Sequence, residues 1–317
     1  MTADLWAVTG AAGFLGANVV EQLLARGNRV LAVDDLTTGR AAHLCAHTLN
    51  PHFAQATLDI RDAAALAALF AERRPDVVVH LAALHFIPAC VADPTRTVSV
   101  NVVGTQSVLS AARAAGVARF GFASTADVYA PAGGPLHEVS SPTGPFNIYG
   151  LTKLVGEQLV ALDSRGRPNA RFVVARLFNL VGPRETNPHF LPEIVRQLRE
   201  RPGQPLRLGD LTPTRDLVPV ADAARALIAL LDAAPVGVTT ANVGTGVAWS
   251  MRQVLDRIGD LLGAALVVET DPAKLRPAER QNLRADVSRL RAMVGFTPSA
   301  DLRATLAELL RSEGLLP

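Results

Sequence analysis

Cysteine is scarce in this chain. Cys45 and Cys90 are the only two among 317 residues, too few for a disulfide framework and without metal-ligand spacing, so both are expected to stay reduced and no metal site is expected. No uninterrupted apolar run approaches the length needed to span a membrane. No basic and apolar leader stands ahead of the first strand pattern, so the expected location is cytoplasmic with no membrane partner. An excess of charge of one sign is missing as well. The 31 Lys and Arg nearly balance 29 Asp and Glu, leaving a formal net charge of +2 scattered along the chain, so the electrostatic footprint of a nucleic-acid partner is absent. Internal repeats and low-complexity tails are absent too. What remains is 49% hydrophobic and 19% charged, enough to bury a large core in one larger domain and one smaller one.

Apolar runs alternate with helical patterns up to residue 178. Strands are expected over 5–9, 29–34, 52–58, 76–82, 118–123 and 171–176, and helices over 62–73, 95–115 and 147–164. That alternation predicts an α/β fold built on a doubly wound parallel sheet with right-handed crossovers, and ligands at the carboxyl ends of the strands. Further on, prolines at 183, 188, 192, 202, 205, 213 and 219 break the chain into shorter units, with helices near 189–200, 220–233, 250–263 and 300–312. The expected division is a larger domain over 1–178, with part of 214–245 returning to it, and a smaller α/β substrate domain over 179–317.

The run Val8-Thr9-Gly10-Ala11-Ala12-Gly13-Phe14-Leu15-Gly16 reads as strand, glycine turn and helix. Gly10 supports the tight turn, Gly13 lets the backbone approach a pyrophosphate, and Gly16 lets helix and strand pack closely. The first-turn amides, with Phe14 and Leu15, then face an anion. This is a Rossmann-type dinucleotide site with the spacing GxxGxxG. The second strand ends in Asp34 and Asp35, and an acidic residue there binds both adenosine ribose hydroxyls and repels a 2'-phosphate, favouring NAD over NADP. Thr38 and Gly39 in the following turn are assigned to the same cofactor, while neighbouring Arg40 leans toward NADP.

Tyr149-Gly150-Leu151-Thr152-Lys153 lies early in the helical pattern that follows Pro142 and Pro145. Positions i and i+4 share one helical face. To act as a base at neutral pH a tyrosine must lose about three pKa units from its reference near 10, roughly 4 kcal/mol of differential stabilisation. An adjacent ammonium and an oxidised nicotinamide supply opposite charge for that purpose.

Further motifs follow in order: Leu58-Asp59-Ile60, His80-Leu81-Ala82-Ala83, Asn101 before Val-Val-Gly-Thr, Ser124 to Tyr129, Arg176-Leu177-Phe178-Asn179, Gly182-Pro183, Arg215-Asp216 and Asn242-Val-Gly-Thr-Gly246. With the glycine turn and the Tyr149/Lys153 pair, they resemble the extended short-chain dehydrogenase/reductases of the NDP-sugar epimerase/dehydratase family over essentially the whole chain. The resemblance implies that Asp59 and Ile60 border the adenine and that Leu81, Ala82 and Ala83 line the cofactor. It also implies that Tyr149 and Lys153 hold the nicotinamide ribose and that Asn101 is a structural residue bending its helix.

By the same resemblance Thr125 orients the sugar hydroxyl that is oxidised, and Ser124 supports it. Tyr149 is the base, Lys153 lowers its pKa, and NAD is a bound catalyst in the epimerisation of a nucleotide-diphosphate sugar at C4. Related 4,6-dehydratases carry an acidic pair or a glutamate after this threonine, needed to eliminate water; here Ala126 and Asp127 stand instead, so dehydration is the alternative. A redox-inactive nucleotide sensor on the same fold is a third reading. Substrate contacts are assigned to His85, Thr125, Asn179, His189, Arg215 and Arg276, with arginine forks suiting phosphate oxygens. Glu185 reads as a loop carboxylate, and His85 with Arg184 would favour an acidic sugar. A homodimer is expected through apolar helical faces in 95–115 and 147–164. The base and the sugar stay open.

Overall fold

Strands with no polar face must be covered on both sides. β1 (Leu5–Thr9) and β4 (Val77–His80) are buried along their whole length. They form the middle of a seven-stranded sheet with β2 (Arg29–Asp34), β3 (Phe53–Thr57), β5 (Arg119–Thr125), β6 (Arg171–Leu177) and, from beyond β7 (Asn179–Val181), β8 (Leu206–Leu208) and β9 (Thr214–Pro219), the strand β10 (Gly237–Val243). The order is β10-β6-β5-β4-β1-β2-β3, and every neighbouring pair is parallel. In this computed structural model the described residues are 3–131, 134–138, 140–275 and 280–317.

The pleat sends alternate side chains to opposite faces. Trp6 and Val8 join one core with α1 (Phe14–Ala25), and Leu5 and Ala7 join the other with α2 (Ala63–Arg73). After α3 (Ile87–Ala92) the expected helix over 95–115 is broken into α4 (Pro94–Val98), a π-helical stretch Ser99–Gly104 and α5 (Thr105–Ala114). The break has a cause in Asn101. Its Oδ1 accepts from Leu84 N at 2.8 Å, while Nδ2 donates to Leu84 O at 2.9 Å and to Thr152 Oγ1 at 3.0 Å. Those bonds draw one turn of the helix toward β4 and toward α6 (Ile148–Arg165), which a regular spiral would leave out of reach.

Beyond β6 and α7 (Phe190–Glu200), helix α8 (Val220–Ala233) packs on α1 and β10 pairs with β6, so this crossover rejoins the large sheet. β10 was not among the expected strands: Thr239, Thr240 and Asn242 interrupt its apolar pattern. The rest forms a second layer. β9 pairs with β7 and β13 (Asn282–Leu283) in parallel and with β11 (Ala248–Ser250) antiparallel, and β8 pairs with β12 (Val268–Thr270). Around them α7, α9 (Met251–Leu262) and α11 (Leu302–Ser312) close a third core containing Ile194, Val254, Ile258, Leu306 and Leu310; α10 (Ser288–Val294) packs on α8. Ser250 and Gln253 fix the start of α9 by a reciprocal capping box. Cys45 is exposed and Cys90 buried, both as free thiols. Among the described residues no helix is long and apolar enough to cross a membrane.

The start of α1 is packed closely against β1. A Cβ on Gly16 would fall 2.0 Å from Gly10 O, so Gly16→Ala is expected to destabilise by about 3 kcal/mol or more in urea unfolding. An unchanged midpoint would contradict this packing.

Candidate functional site

The strand order reverses between β1 and β4, and in sheets of this kind ligands bind in the crevice that opens there at the carboxyl ends. A cleft of about 1170 Å³ occupies that place and runs on toward β9 and α7. Gly10, at φ 72, turns the chain out of β1 and donates its N–H to Val33 O at 2.8 Å. A Cβ there would meet Ala82 N at 2.7 Å. Gly13 precedes α1, and neither a side-chain cap nor an acidic residue occupies the first turn. Those amides and the positive helix end are left facing the cleft. At the end of β2, Asp34 accepts from Ala12 N at 2.9 Å and from Leu36 N at 2.8 Å; burial still raises its pKa. Asp35, Thr38 and Gly39 lie beside it, whereas Arg40 is not part of the lining. On the far side Asp59 is held below the usual carboxylate range by Arg61, whose Nε lies 2.9 Å from Oδ2.

The reacting end is assembled by α6. Asn147 caps it, accepting from Gly150 N at 2.7 Å, which places Tyr149 in the first turn and Lys153 one turn later. Gly150 permits the approach: a Cβ would sit 2.5 Å from Asp127 O. Tyr149 thereby stands beside Thr125, the last residue of β5. Ser124 instead donates to Glu157, which also takes a bidentate bond from Arg176 at 2.9 and 2.7 Å. Lys153 is buried, with Nζ donating to Ala123 O at 2.8 Å and lying 4.9 Å from the Phe122 ring centroid.

The electrostatics differ from expectation at one point. The sequence suggested that Lys153 would lower the Tyr149 pKa, but burial and the nearby Asp127 carboxylate push the phenol up, and Thr125 only partly opposes them. Lys153 is itself pulled down to about 8 by burial. Desolvation is the largest cause of both shifts.

Phe14, Leu15, Gly16, Ile60, Leu81, Ala82, Ala83, His85, Asn179, His189 and Arg215 also line this cleft; Arg276 lies outside the described residues. Burial takes His85 down to about 4. Asp216 fixes the strand bearing Arg215 by accepting from Thr245 N at 2.8 Å, Thr245 Oγ1 at 2.7 Å and Gly246 N at 2.9 Å. Two assignments are corrected. Arg184 leaves the cleft and pairs with Glu21 at 2.7 Å, so it contributes nothing toward an acidic sugar. Glu185, read as a mere loop carboxylate, lines the cleft.

Sequence reasoning missed Arg280. It lines the cleft at 6% exposure, Nη2 donates to Tyr129 O, and its guanidinium lies 5.3 Å from the Phe146 ring centroid. Nε and Nη1 have no hydrogen-bond partner among the described residues. Its carbonyl accepts from Arg215 Nη1 at 2.8 Å, so the two arginines stand together. Arg280 stands 65 positions from Arg215 in sequence, so no local pattern announced it.

Because Lys153 has a pKa near 8 folded and near 10.4 unfolded, the unfolded chain binds more protons between those values. The ammonium's burial cost is therefore full below pH 8 and disappears as pH rises through that window. Lys153→Met is expected to be more stable than the parent at pH 7, by about 1–2 kcal/mol after loss of the Ala123 bond, with the difference narrowing toward pH 10. A less stable variant at pH 7 in urea unfolding would contradict this.

Relatives share this architecture. The model of the NAD dependent epimerase/dehydratase family matches residues 6–244. A UDP-glucose 4-epimerase of Mycolicibacterium smegmatis is 35% identical over 313 residues, 95% of this chain and 96% of that protein. The structure of UDP-glucose 4-epimerase from Bifidobacterium longum in complex with NAD+ and UDP matches with a TM-score of 0.89 at 26% identity, over 98% of both chains. UDP-glucuronic acid 4-epimerase from Bacillus cereus, in complex with UDP-glucuronic acid and NAD, matches with a TM-score of 0.88 at 26% identity, over 98% of this chain and 99% of that one. With its glycine turn and its tyrosine–lysine helix on this sheet, the chain belongs to the NAD-dependent epimerase/dehydratase family.

Proposed function

We propose that this protein is an epimerase that inverts C4 of a nucleotide-diphosphate sugar through a transient 4-keto sugar, with NAD as a bound catalyst. The observation that carries this reading is Tyr149 beside Thr125, with Lys153 one turn away, in the cleft that holds the glycine turn and the Arg215–Arg280 pair. The residues fit the cofactor. The uncapped start of α1 with Gly10, Gly13, Phe14, Leu15 and Gly16 suits a pyrophosphate. Asp34 and Asp35 suit the adenosine ribose beside Thr38 and Gly39, and Asp59 and Ile60 the adenine. Leu81, Ala82 and Ala83 form the wall toward Lys153 and Tyr149, which take the nicotinamide ribose. When bound, NAD supplies an oxidised nicotinamide that accepts the C4 hydride and returns it.

Thr125 Oγ1 orients the sugar hydroxyl, and Tyr149 Oη takes its proton and later gives one back. Because burial and Asp127 hold the Tyr149 proton on, this transfer depends on positive charge brought close to the phenol, from Lys153 and the oxidised nicotinamide ring. The keto sugar must then turn while its diphosphate stays fixed. Asn179, Arg215 and Arg280 provide that anchor, the arginines through forked donors, and His85 and His189 border the sugar end. Val98, Val103, Leu151 and Leu162, exposed on α4, the π-helical stretch and α6, are the apolar side chains through which two copies would pair.

One observation favours a second reading, 4,6-dehydration: Asp127 lines the cleft and its charge reaches Tyr149. Buried Ala126 offers no proton beside it.

A panel of NDP-sugars, with and without added NAD, is expected to give a product of unchanged mass with an inverted C4 coupling pattern in proton NMR. Tyr149→Phe should lower kcat by about 100-fold or more with NAD binding kept. A product lighter by one water would shift the assignment to dehydratase, and nucleotide binding without turnover in the parent would favour a sensor. Light scattering should give twice the chain mass, and a monomer at all working concentrations would exclude the dimer.

A further inference from the structure

We infer that His85, Glu185 and His189 form a binding site for a divalent transition-metal cation, open to the substrate cleft. One ligand atom from each of the three lies within 4.8 Å of the others, and all three residues line the cleft. Two imidazoles and one carboxylate suit Zn²⁺, Co²⁺ or Fe²⁺ better than Mg²⁺ or Ca²⁺, which favour oxygen-only shells. Zn–ligand bonds of about 2.0–2.2 Å require the three ligand atoms to draw together from that spacing and Asn187 Nδ2 to leave His85 Nε2. Three protein ligands leave the fourth tetrahedral position facing the cleft, where a phosphate or hydroxyl oxygen of a bound sugar nucleotide can complete the shell.

The chain is shaped for this inward grouping. Arg184 sits at φ 75 and sends its guanidinium out to Glu21, so the next residue turns toward the cleft. Glu185 Oε1 is then held by Thr186 N at 2.9 Å and Asn187 N at 3.0 Å. Among the described residues no Lys or Arg pairs with this partly buried carboxylate, the setting in which a negative charge calls for a cation. The His85 ring lies beside the Ala83 backbone, a position from which outer groups orient ligating histidines. On its other side Asn187 Nδ2 lies 3.0 Å from Nε2, so an amide donor rests on the lone pair a cation would take. His189 stands at the start of α7 with its ring 5.9 Å from that of His85 and edge-on to Phe86 at 5.3 Å. The ligands come from the loop after β4 and the loop after β7, so the cation would tie the two walls of the cleft together. Scarce cysteine had pointed away from metal; these ligands need none.

The test uses the full chain stripped with chelator, titrated with Co²⁺ by visible absorption and with Zn²⁺ by calorimetry. The expected result is one equivalent of each, saturable d–d bands that Zn²⁺ abolishes, and at least tenfold weaker binding in Glu185→Gln and in His189→Ala, both checked for parental melting. A rise in melting temperature with Zn²⁺ should appear in the parent and be lost in Glu185→Gln. The absence of saturable binding, or equal affinity in parent and both variants, overturns the site. Neither readout needs substrate, so failure here is distinct from failure of the epimerase assignment.

Discussion

Helix α1 begins where it does only because two side chains are missing. Gly16 rests against the carbonyl of Gly10, and Gly10 in turn lies against the backbone of Ala82, so β1, α1 and the end of β4 meet with no atoms between them. That contact places an uncapped helix N-terminus at the strand-order reversal, where its unpaired amides face a cleft instead of a protein side chain. The Asp34 carboxylate, taken up by amides of the same turn and the next, belongs to this geometry too. The dinucleotide half of the site is thus a consequence of backbone packing.

The reacting half depends on burial. Gly150 brings α6 against the Asp127 carbonyl, and Asn101 ties Leu84 to Thr152, the neighbour of Lys153. Tyr149 and Lys153 are drawn into a poorly solvated space in which the phenol keeps its proton and the ammonium is weakened. Positive charge brought nearby would favour the ionised phenol. On the opposite wall the guanidinium of Arg280 keeps donors in reserve beside Arg215. Buried donors without protein partners are costly, and a phosphate or sugar oxygen would remove that cost.

Features encoded over a few residues were legible in the sequence: the GxxGxxG turn, the acidic end of the second strand, the i,i+4 pair, and most strands of the parallel sheet. Those depending on distant partners were not. The break in the 95–115 helix follows from Asn101 reaching Leu84, seventeen positions away. The fates of Arg184 and Glu185 turn on a positive φ at Arg184 itself, a residue type that does not announce one. Arg280 becomes a cleft residue only because Tyr129 and Phe146 surround it, and β10 is a strand because β6 offers it an edge, despite threonines that weaken its pattern. The sign of the Tyr149 shift likewise needed the degree of burial, which spacing cannot supply.

The most direct test of the mechanism is the fate of hydrogen at C4. Turnover of a sugar nucleotide carrying deuterium at C4, followed by NMR and mass spectrometry in ordinary water, should give the inverted product with the deuterium still at C4, because the hydride leaves and returns without meeting solvent. Loss of the label to water, or inversion at a carbon other than C4, would contradict it.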